Sequence, residues 1–322
     1  MRGWLAIGVA LAQCLGAMAF AEAQDYPART VTIVVPQAPG GTNDVVGRFM
    51  ADRLSQALDQ RFVVENRVGA GGNVGTASVA RAQPDGYTLL VSVDNPLAIN
   101  PNLYKTVGFD PIADFEPITL IASVPYVLVV NPKFPADTVP DLLRLAKEKP
   151  GRIQYASSGI GTVNHLLVEL LGFQTGTKFV HVPYRGVAAL MSDLIAGHVE
   201  IGFATMPAVQ SHLASGSLKA LGVSSPKRLA IAPQIPAVSE TVPDFGTELW
   251  VGLFAVHGTP PAIVEKLKRE AVKILNDPQA RKALVAMGAQ PVPSTGEELS
   301  ARLRQDLDKW RGVITRVGVK VE

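Results

Sequence analysis

Short apolar runs rich in β-branched residues alternate with helix-spaced segments along nearly the whole chain, and this alternation restricts the fold more than any other feature. Val31–Val35 reads as a buried parallel strand. After the turn 36–41, Val45, Val46, Phe49, Met50 and Leu54 recur at helical spacing within 43–58. Strands are expected at 61–65 and 87–93, with a helix at 74–82 between them and the turn Pro84-Asp85-Gly86 before the second. Beyond a long extended stretch at 118–130, Thr138 and Asp141 have capping-box spacing, with Pro140 in the first turn of the helix they open. The alternation continues as strand 153–156, helix 163–172, strand 179–182, helix 186–196, strand 199–204, helix 207–215 and strand 218–223. A last long apolar strand at 249–256 leads into a helical remainder, in which Thr259-Pro260-Pro261 and Asp277-Pro278 each start a helix.

Repeated β–α units imply an α/β fold of parallel sheets with helices on both faces. The strands at 118–130 and 249–256 bracket a self-contained α/β block. That pattern suits one lobe inserted into another, with two strands crossing between them, which is also what closure about a hinge requires. A length of 322 residues predicts two domains. The division expected is 25–126 plus 249–322 for one lobe and 127–248 for the other.

The N-terminus reads as a signal peptide over 1–23: Arg2, an uncharged apolar run from Gly3 to Phe20, and the small-x-small pattern Ala21-Glu22-Ala23. A cut after Ala17-Met18-Ala19 is the alternative site, and a single membrane anchor is the alternative role. Cleavage after Ala23 removes Arg2 and Glu22, so Lys+Arg falls from 30 to 29, Asp+Glu falls from 28 to 27, and the net charge stays +2. It also removes Cys14, the sole cysteine, whose Gln13 neighbour fits a lipoprotein box poorly. The mature chain then has no disulfide, thiol nucleophile or thiolate metal site. Scattered rather than clustered basic residues exclude a nucleic-acid footprint. The product expected is exported to a bacterial periplasm.

Three strand-to-helix junctions share one character: Pro39-Gly40-Gly41-Thr42-Asn43-Asp44, Gly69-Ala70-Gly71-Gly72-Asn73-Val74-Gly75 and Ser157-Ser158-Gly159-Ile160-Gly161-Thr162. Free amides and the helix dipole at such places favour an anion, and glycine admits it close to the backbone. A dinucleotide loop fails because Val74 occupies the third glycine's place. A phosphate loop fails for want of Gly-Lys, and Gly222-Val223-Ser224 ends wrongly at Pro226 for a hydrolase elbow. His165 and Glu169 have the spacing to share a helix face, but two ligands do not make a metal site. Arg185, in the turn after His181-Val182-Pro183-Tyr184, reaches the cleft or lies on the surface.

Segments along the whole mature chain resemble the tripartite tricarboxylate transporter receptors, also called the Bug family. They are Pro39–Asp44 with Arg48, Asn66–Gly75, Pro84–Leu90, Asn100–Tyr104 and Asp114–Thr119, then Tyr155–Gly159 with Gly161-Thr162, His181–Tyr184, Ala196–Val199, Trp250–Phe254 and Gly258–Pro260. The resemblance implies a type II Venus-flytrap fold, no catalysis, no cofactor and no metal. The expected ligand is a small mono-, di- or tricarboxylate, held by backbone amides and bridging waters. The implied partners are the small and large inner-membrane subunits of an ion-driven importer, or a sensor kinase where a member signals instead. The receptor itself is expected to be a monomer. Carried over by position, Gly40, Gly41, Thr42 and Asn43 face the ligand and Asp44 caps its helix. Gly71, Gly72 and Asn73 form a second wall, and Ser157, Ser158, Gly159 and Thr162 a third. Tyr184, Ala204 and Thr205 complete the expected contacts with Asp94 and Asn95. Two departures matter: Thr42-Asn43 stands where many members have Pro then Thr or Ser, and Ala204-Thr205 where many have Asp-Asn. Loss of that acid favours a simple carboxylate over an amino acid, although Asp94-Asn95 offers a substitute contact for an amino group.

Overall fold

The computed structural model describes residues 26–319. The expected signal peptide at 1–23, and Cys14 within it, lie outside the described residues. β1 (Val31–Val35) is followed by α1 (Thr42–Leu58), β2 (Phe62–Asn66) and α2 (Asn73–Ala80). Of the helix-spaced residues of α1, Val46, Met50 and Leu54 are buried, while Val45 is exposed. After β3 (Thr88–Val93) comes a wound segment that the alternation did not foreshadow. A π-helical turn, Asn95–Ile99, runs directly into α3 (Asn100–Leu103). The segment is too short to show a helical period, and Leu97, Ala98 and Ile99 are all fully buried.

β4 (Phe115–Val130) leads to α4 (Val139–Glu148). The capping box there forms as the spacing predicts: Asp141 N donates to Thr138 Oγ1 at 3.2 Å, and Thr138 N donates to Asp141 Oδ2 at 3.1 Å. Then follow β5 (Gln154–Ser157), α5 (Val163–Thr175), β6 (Val180–Pro183), α6 (Val187–Ala196), β7 (Ile201–Thr205), α7 (Met206–Ala214) and β8 (Lys219–Val223). The chain ends with β9 (Glu248–Val256), α8 (Pro261–Asn276), α9 (Pro278–Ala286), β10 (Gln290–Pro291) and α10 (Gly296–Val317).

The strands hydrogen-bond in the order β2-β1-β3-β9-β4-β7-β5-β6, with β8 and β10 also on β4. The flanking pairs β1/β2, β1/β3, β5/β6 and β5/β7 are parallel, as β–α alternation requires. The centre is not: β9 is antiparallel to β3 and β4, and β4 to β7. The sheet is mixed because the chain runs out of the first lobe along β4 and returns in the opposite sense along β9.

β4 changes partners in mid-strand. Phe115–Pro125 pairs with β9, whereas Tyr126–Val130 pairs with β7 and Val127–Val130 with β8. Ser224 ties both chain crossings together. Its N–H donates to Tyr126 O at 2.8 Å, its Oγ receives Tyr126 N–H at 3.0 Å and donates to Thr247 O at 2.6 Å, and its carbonyl receives Thr247 N–H at 2.9 Å. One buried apolar cluster surrounds β1, β3, β9 and much of β4, and a second lies around β7 and β8. The molecule is a two-lobed α/β fold. No helix among the described residues is long and apolar enough to cross a membrane.

Candidate functional site

A cleft of about 390 Å³ opens where β1, β3, β5 and β7 end beside the partner change of β4. Ligands of α/β proteins gather at such carboxyl ends of strands. Pro36, Gln37 and Ala38 enter it after β1, and Val93, Asp94 and Asn95 after β3. Ser158, Thr162, Val163 and Asn164 enter after β5, with Ala204 and Thr205 at the end of β7 and Tyr126 and Leu249 at the crossings.

At the first junction Gly41, Thr42 and Asn43 line the cleft, but Gly40 and Asp44 do not. Asp44 is not the helix cap. Gly41 holds that position without a side-chain bond, and Asp44 lies buried in the first turn as the centre of a loop clamp. Its Oδ2 accepts from Gly40 N–H at 2.9 Å and Arg48 Nε at 3.0 Å, and its Oδ1 accepts from Asn66 Nδ2 at 2.8 Å. Burial alone would raise the Asp44 carboxyl, but Arg48, the Gly40 amide and Asn66 together hold it below the usual aspartate value. Asn43 Nδ2 donates to Val91 O at 3.1 Å and to Gln37 Oε1. That fixes the amide's orientation and leaves Asn43 Oδ1 buried with no hydrogen-bond partner among the described residues.

At the second junction Gly69, Gly71 and Gly72 line the cleft. Gly71 and Gly72 adopt φ of +64° and +102°, and a Cβ on Gly72 would come within 3.3 Å of Pro96, so the loop requires glycine there. Asn73, expected in this wall, is turned away. Its Oδ1 accepts from Asn100 Nδ2 at 2.6 Å, Asn100 also donates to Gly71 O at 3.1 Å, and Asn95 Nδ2 donates to Asn100 Oδ1 at 2.9 Å. The asparagine chain pins the loop to the turn after β3.

At the third junction Ser158 and Thr162 line the cleft, and Ser157 and Gly159 sit behind it. Asn164, which the sequence reading missed, organises this wall. Its Oδ1 accepts from Ser158 N at 3.3 Å, Ser158 Oγ at 3.2 Å and Thr162 Oγ1 at 2.5 Å. Its position in the first turn of α5, two residues past Thr162, was the available signal. Tyr184 faces elsewhere, donating to Asp193 Oδ2 at 2.6 Å, and Arg185 is exposed and off the cleft.

Ser157 Oγ stands 2.6 Å from His181 Nε2, the contact expected of a nucleophile and its base. Ser157 is completely buried behind the loop, so no substrate in the cleft meets it. Its histidine belongs to a stack: His165 and His181 lie 4.0 Å apart at 10°, and Tyr155 lies 4.8 Å from His181. His165 Nδ1 accepts from Gly161 N–H at 3.0 Å, which requires the neutral ring and braces the loop. Burial, helped by His181, pushes His165 down to about 3, and burial also lowers His181. Glu169 accepts from Tyr155 OH instead of pairing with His165. Among the described residues no three His, Cys, Asp or Glu side chains are grouped to hold a metal ion.

The helices that open onto the cleft lack side-chain caps, although in α2 the Asn73 amide donates to Ala70 O and the Val74 amide to Gly69 O. α1, α2, α5, α6 and α7 all begin without a side-chain cap. Away from the cleft, α4, α9 and α10 are each capped by a threonine or aspartate, and α8 opens on prolines that have no amide proton. The cleft therefore collects unsatisfied backbone donors and the positive ends of helix dipoles from both lobes.

The family model described as tripartite tricarboxylate transporter family receptor matches residues 46–319. Protein BugT of Bordetella pertussis is 36% identical over 318 residues, which are 98% of this chain and 97% of BugT. Among solved structures, Rpa4515 of R. palustris with adipate is 34% identical, with a TM-score of 0.85 over 92% of this chain and 99% of its own. MatC of Rhodopseudomonas palustris with bound malate is 29% identical, with a TM-score of 0.79 over 90% of this chain and 100% of its own.

Proposed function

This chain belongs to the tripartite tricarboxylate transporter receptor family, a family of periplasmic solute-binding receptors and not of enzymes, and from that premise we propose that its cleft captures a small carboxylate and delivers it to the membrane subunits of a tripartite importer. The observation that carries this reading is the gathering of uncapped helix N-termini from both lobes on one cleft, while α4, α9 and α10 elsewhere are capped. Backbone amides at helix starts bind an anion without a basic side chain. That two similar proteins hold adipate and malate supports a small carboxylate as the ligand.

On this reading Gly41, Thr42, Asn43, Gly71 and Gly72 meet the ligand from the lobe formed by 25–126 and 249–322. Ser158, Thr162 and Asn164 meet it from the lobe formed by 127–248, with Ala204 and Thr205 at its base. The lobes turn about the Tyr126–Ser224–Thr247 bonds. A ligand touching both binds the closed form preferentially and shifts the population towards it, and the closed form is what the membrane partner meets. The protein works in the periplasm, after removal of residues 1–23.

The test is a thermal-shift screen of the mature chain against mono-, di- and tricarboxylates, adipate and malate included. A ligand at about 1,000 times its Kd adds roughly 4 kcal/mol, which raises the midpoint on the order of 10 °C for a chain of this size. One carboxylate giving that rise and recovered chemically unchanged supports the receptor. No rise with any carboxylate, or consumption of the one that binds, refutes it.

A further inference from the structure

Asp94 is 1% exposed, lines the cleft, and has no hydrogen bond to either carboxyl oxygen among the described residues. The charged groups facing it all come from α10, and they are committed to other partners. Arg302 Nε donates to Asp306 Oδ2 at 2.9 Å, Trp250 Nε1 donates to the same oxygen at 2.7 Å, and Lys309 Nζ donates to Gly246 O at 2.6 Å. Tyr126, the other titratable neighbour, is buried and makes no bond to it. A second buried acceptor on the same cleft, Asn43 Oδ1, is likewise unpartnered, and its amide cannot flip because Asn43 Nδ2 is held by Val91 O. The cleft thus joins a set of free donors, the uncapped helix ends, to a pair of free acceptors.

We propose that Asp94, with Asn43 Oδ1 beside the same cleft, receives an ammonium group, so that the protein selects a carboxylate bearing a primary amine over the same acid without one. The inference rests on the receptor reading and narrows its ligand class. A second carboxylate on this wall could take a proton from Asp94 but offers no donor to Asn43 Oδ1, which only accepts. An ammonium brings donors to this wall and, beside Asp94, restores the ion pair that a buried carboxylate lacks. Without ligand, the carboxyl keeps its proton to about pH 8. Burial is the main cause and Asp306 adds to it, while Arg302, Lys309 and the Asn95 amide offset only part. An arriving ammonium displaces that proton, so affinity rises with pH and levels off near 8.

The test is calorimetric titration of the mature protein with matched pairs: aspartate and succinate, glutamate and glutarate, 2-aminoadipate and adipate. In at least one pair the amine-bearing member is expected to bind ten or more times tighter, gaining about tenfold per unit between pH 6 and pH 7.5. Asp94→Asn is expected to abolish both the preference and the slope. Equal or tighter binding of the amine-free member in every pair overturns the inference and leaves the receptor reading standing. So does an affinity that falls with pH, which assigns Asp94 as proton donor to a second carboxylate. No binding by any acid, with or without the amine, sinks the receptor reading itself.

Discussion

Asp94 has a consequence for stability that is measurable without any ligand. The folded chain holds its proton to about pH 8, whereas an ordinary aspartate releases it near 3.8. Between those values the native state binds one proton more than the unfolded state, so stability falls as pH rises through that interval. Each pH unit is worth about 1.4 kcal/mol, and the three units from pH 5 to pH 8 remove about 4 kcal/mol. The asparagine in Asp94→Asn has the same shape and no proton to lose. In urea unfolding of the ligand-free protein, the variant's free energy should therefore gain on the wild type by about 4 kcal/mol between pH 5 and pH 8. The comparison must be made against the variant because His165 and His181 act in the opposite sense. They stay neutral in the fold, so the unfolded chain binds protons that they refuse, and stability is lost as pH falls below about 6.5. Both proteins share that term, and it cancels. A gap between variant and wild type that stays within about 1 kcal/mol across this range would refute the claim that burial keeps Asp94 protonated.

Gly41→Val should remove carboxylate binding and leave the thermal midpoint nearly unchanged. Gly41 has an ordinary φ of −74°, and an added Cβ meets only Ala38 O, at 3.5 Å, so the new side chain fits the fold and occupies the cleft; retained affinity in calorimetry would remove Gly41 from the first wall. Gly75→Ala should do the reverse and cost about 3 kcal/mol or more in urea unfolding, because its Cβ would collide with the Arg67 carbonyl oxygen and lie 2.9 Å from Pro36 Cα. Followed by NMR, the His165 ring should stay neutral on acidification until about pH 3. A transition near 6.5 would mean that the stack with His181 is open to water.

Much of the fold was legible because hydrophobic period and turn chemistry are local. The alternation placed the strands and helices, and the Thr138–Asp141 spacing placed a helix start that the hydrogen bonds reproduce. Strand direction was not legible, since an apolar run reads alike in either sense, and the antiparallel centre formed by β4 and β9 emerges only from long-range pairing. The site divides in the same way. Three glycine-containing junctions were visible as helix starts, but the sequence cannot tell Asn43 from Asn73. Each follows paired small residues at the head of a helix. One is held by Val91 O with its oxygen buried and unpartnered beside the cleft, and the other is occupied by Asn100. Asp44 read as a cap because its partner Asn66 lies on a neighbouring strand. Asn164 and Tyr126 were missed because a first-turn asparagine and a buried strand tyrosine carry no ligand signature of their own.

The cleft gathers polar groups that the chain leaves unsatisfied. Five helix starts there lack caps, while three elsewhere have them. Asp94 and Asn43 add buried acceptors without donors. Each such group costs the folded state free energy, and a stabler chain would cap or replace it. The unsatisfied groups divide between the two sides of the point where β4 changes partners. A molecule that satisfies one side alone has no reason to favour the closed form, because its contacts are the same open or closed. Only a molecule long enough to meet both sides binds the two forms differently, and only differential affinity shifts a conformational equilibrium. Formate, with its single carboxylate and no reach, should therefore compete weakly at one junction without contracting the molecule in small-angle scattering, whereas the true ligand contracts it at saturation. Contraction by formate would mean that closure needs no bridge, and the division of the site between lobes would then have no mechanical role.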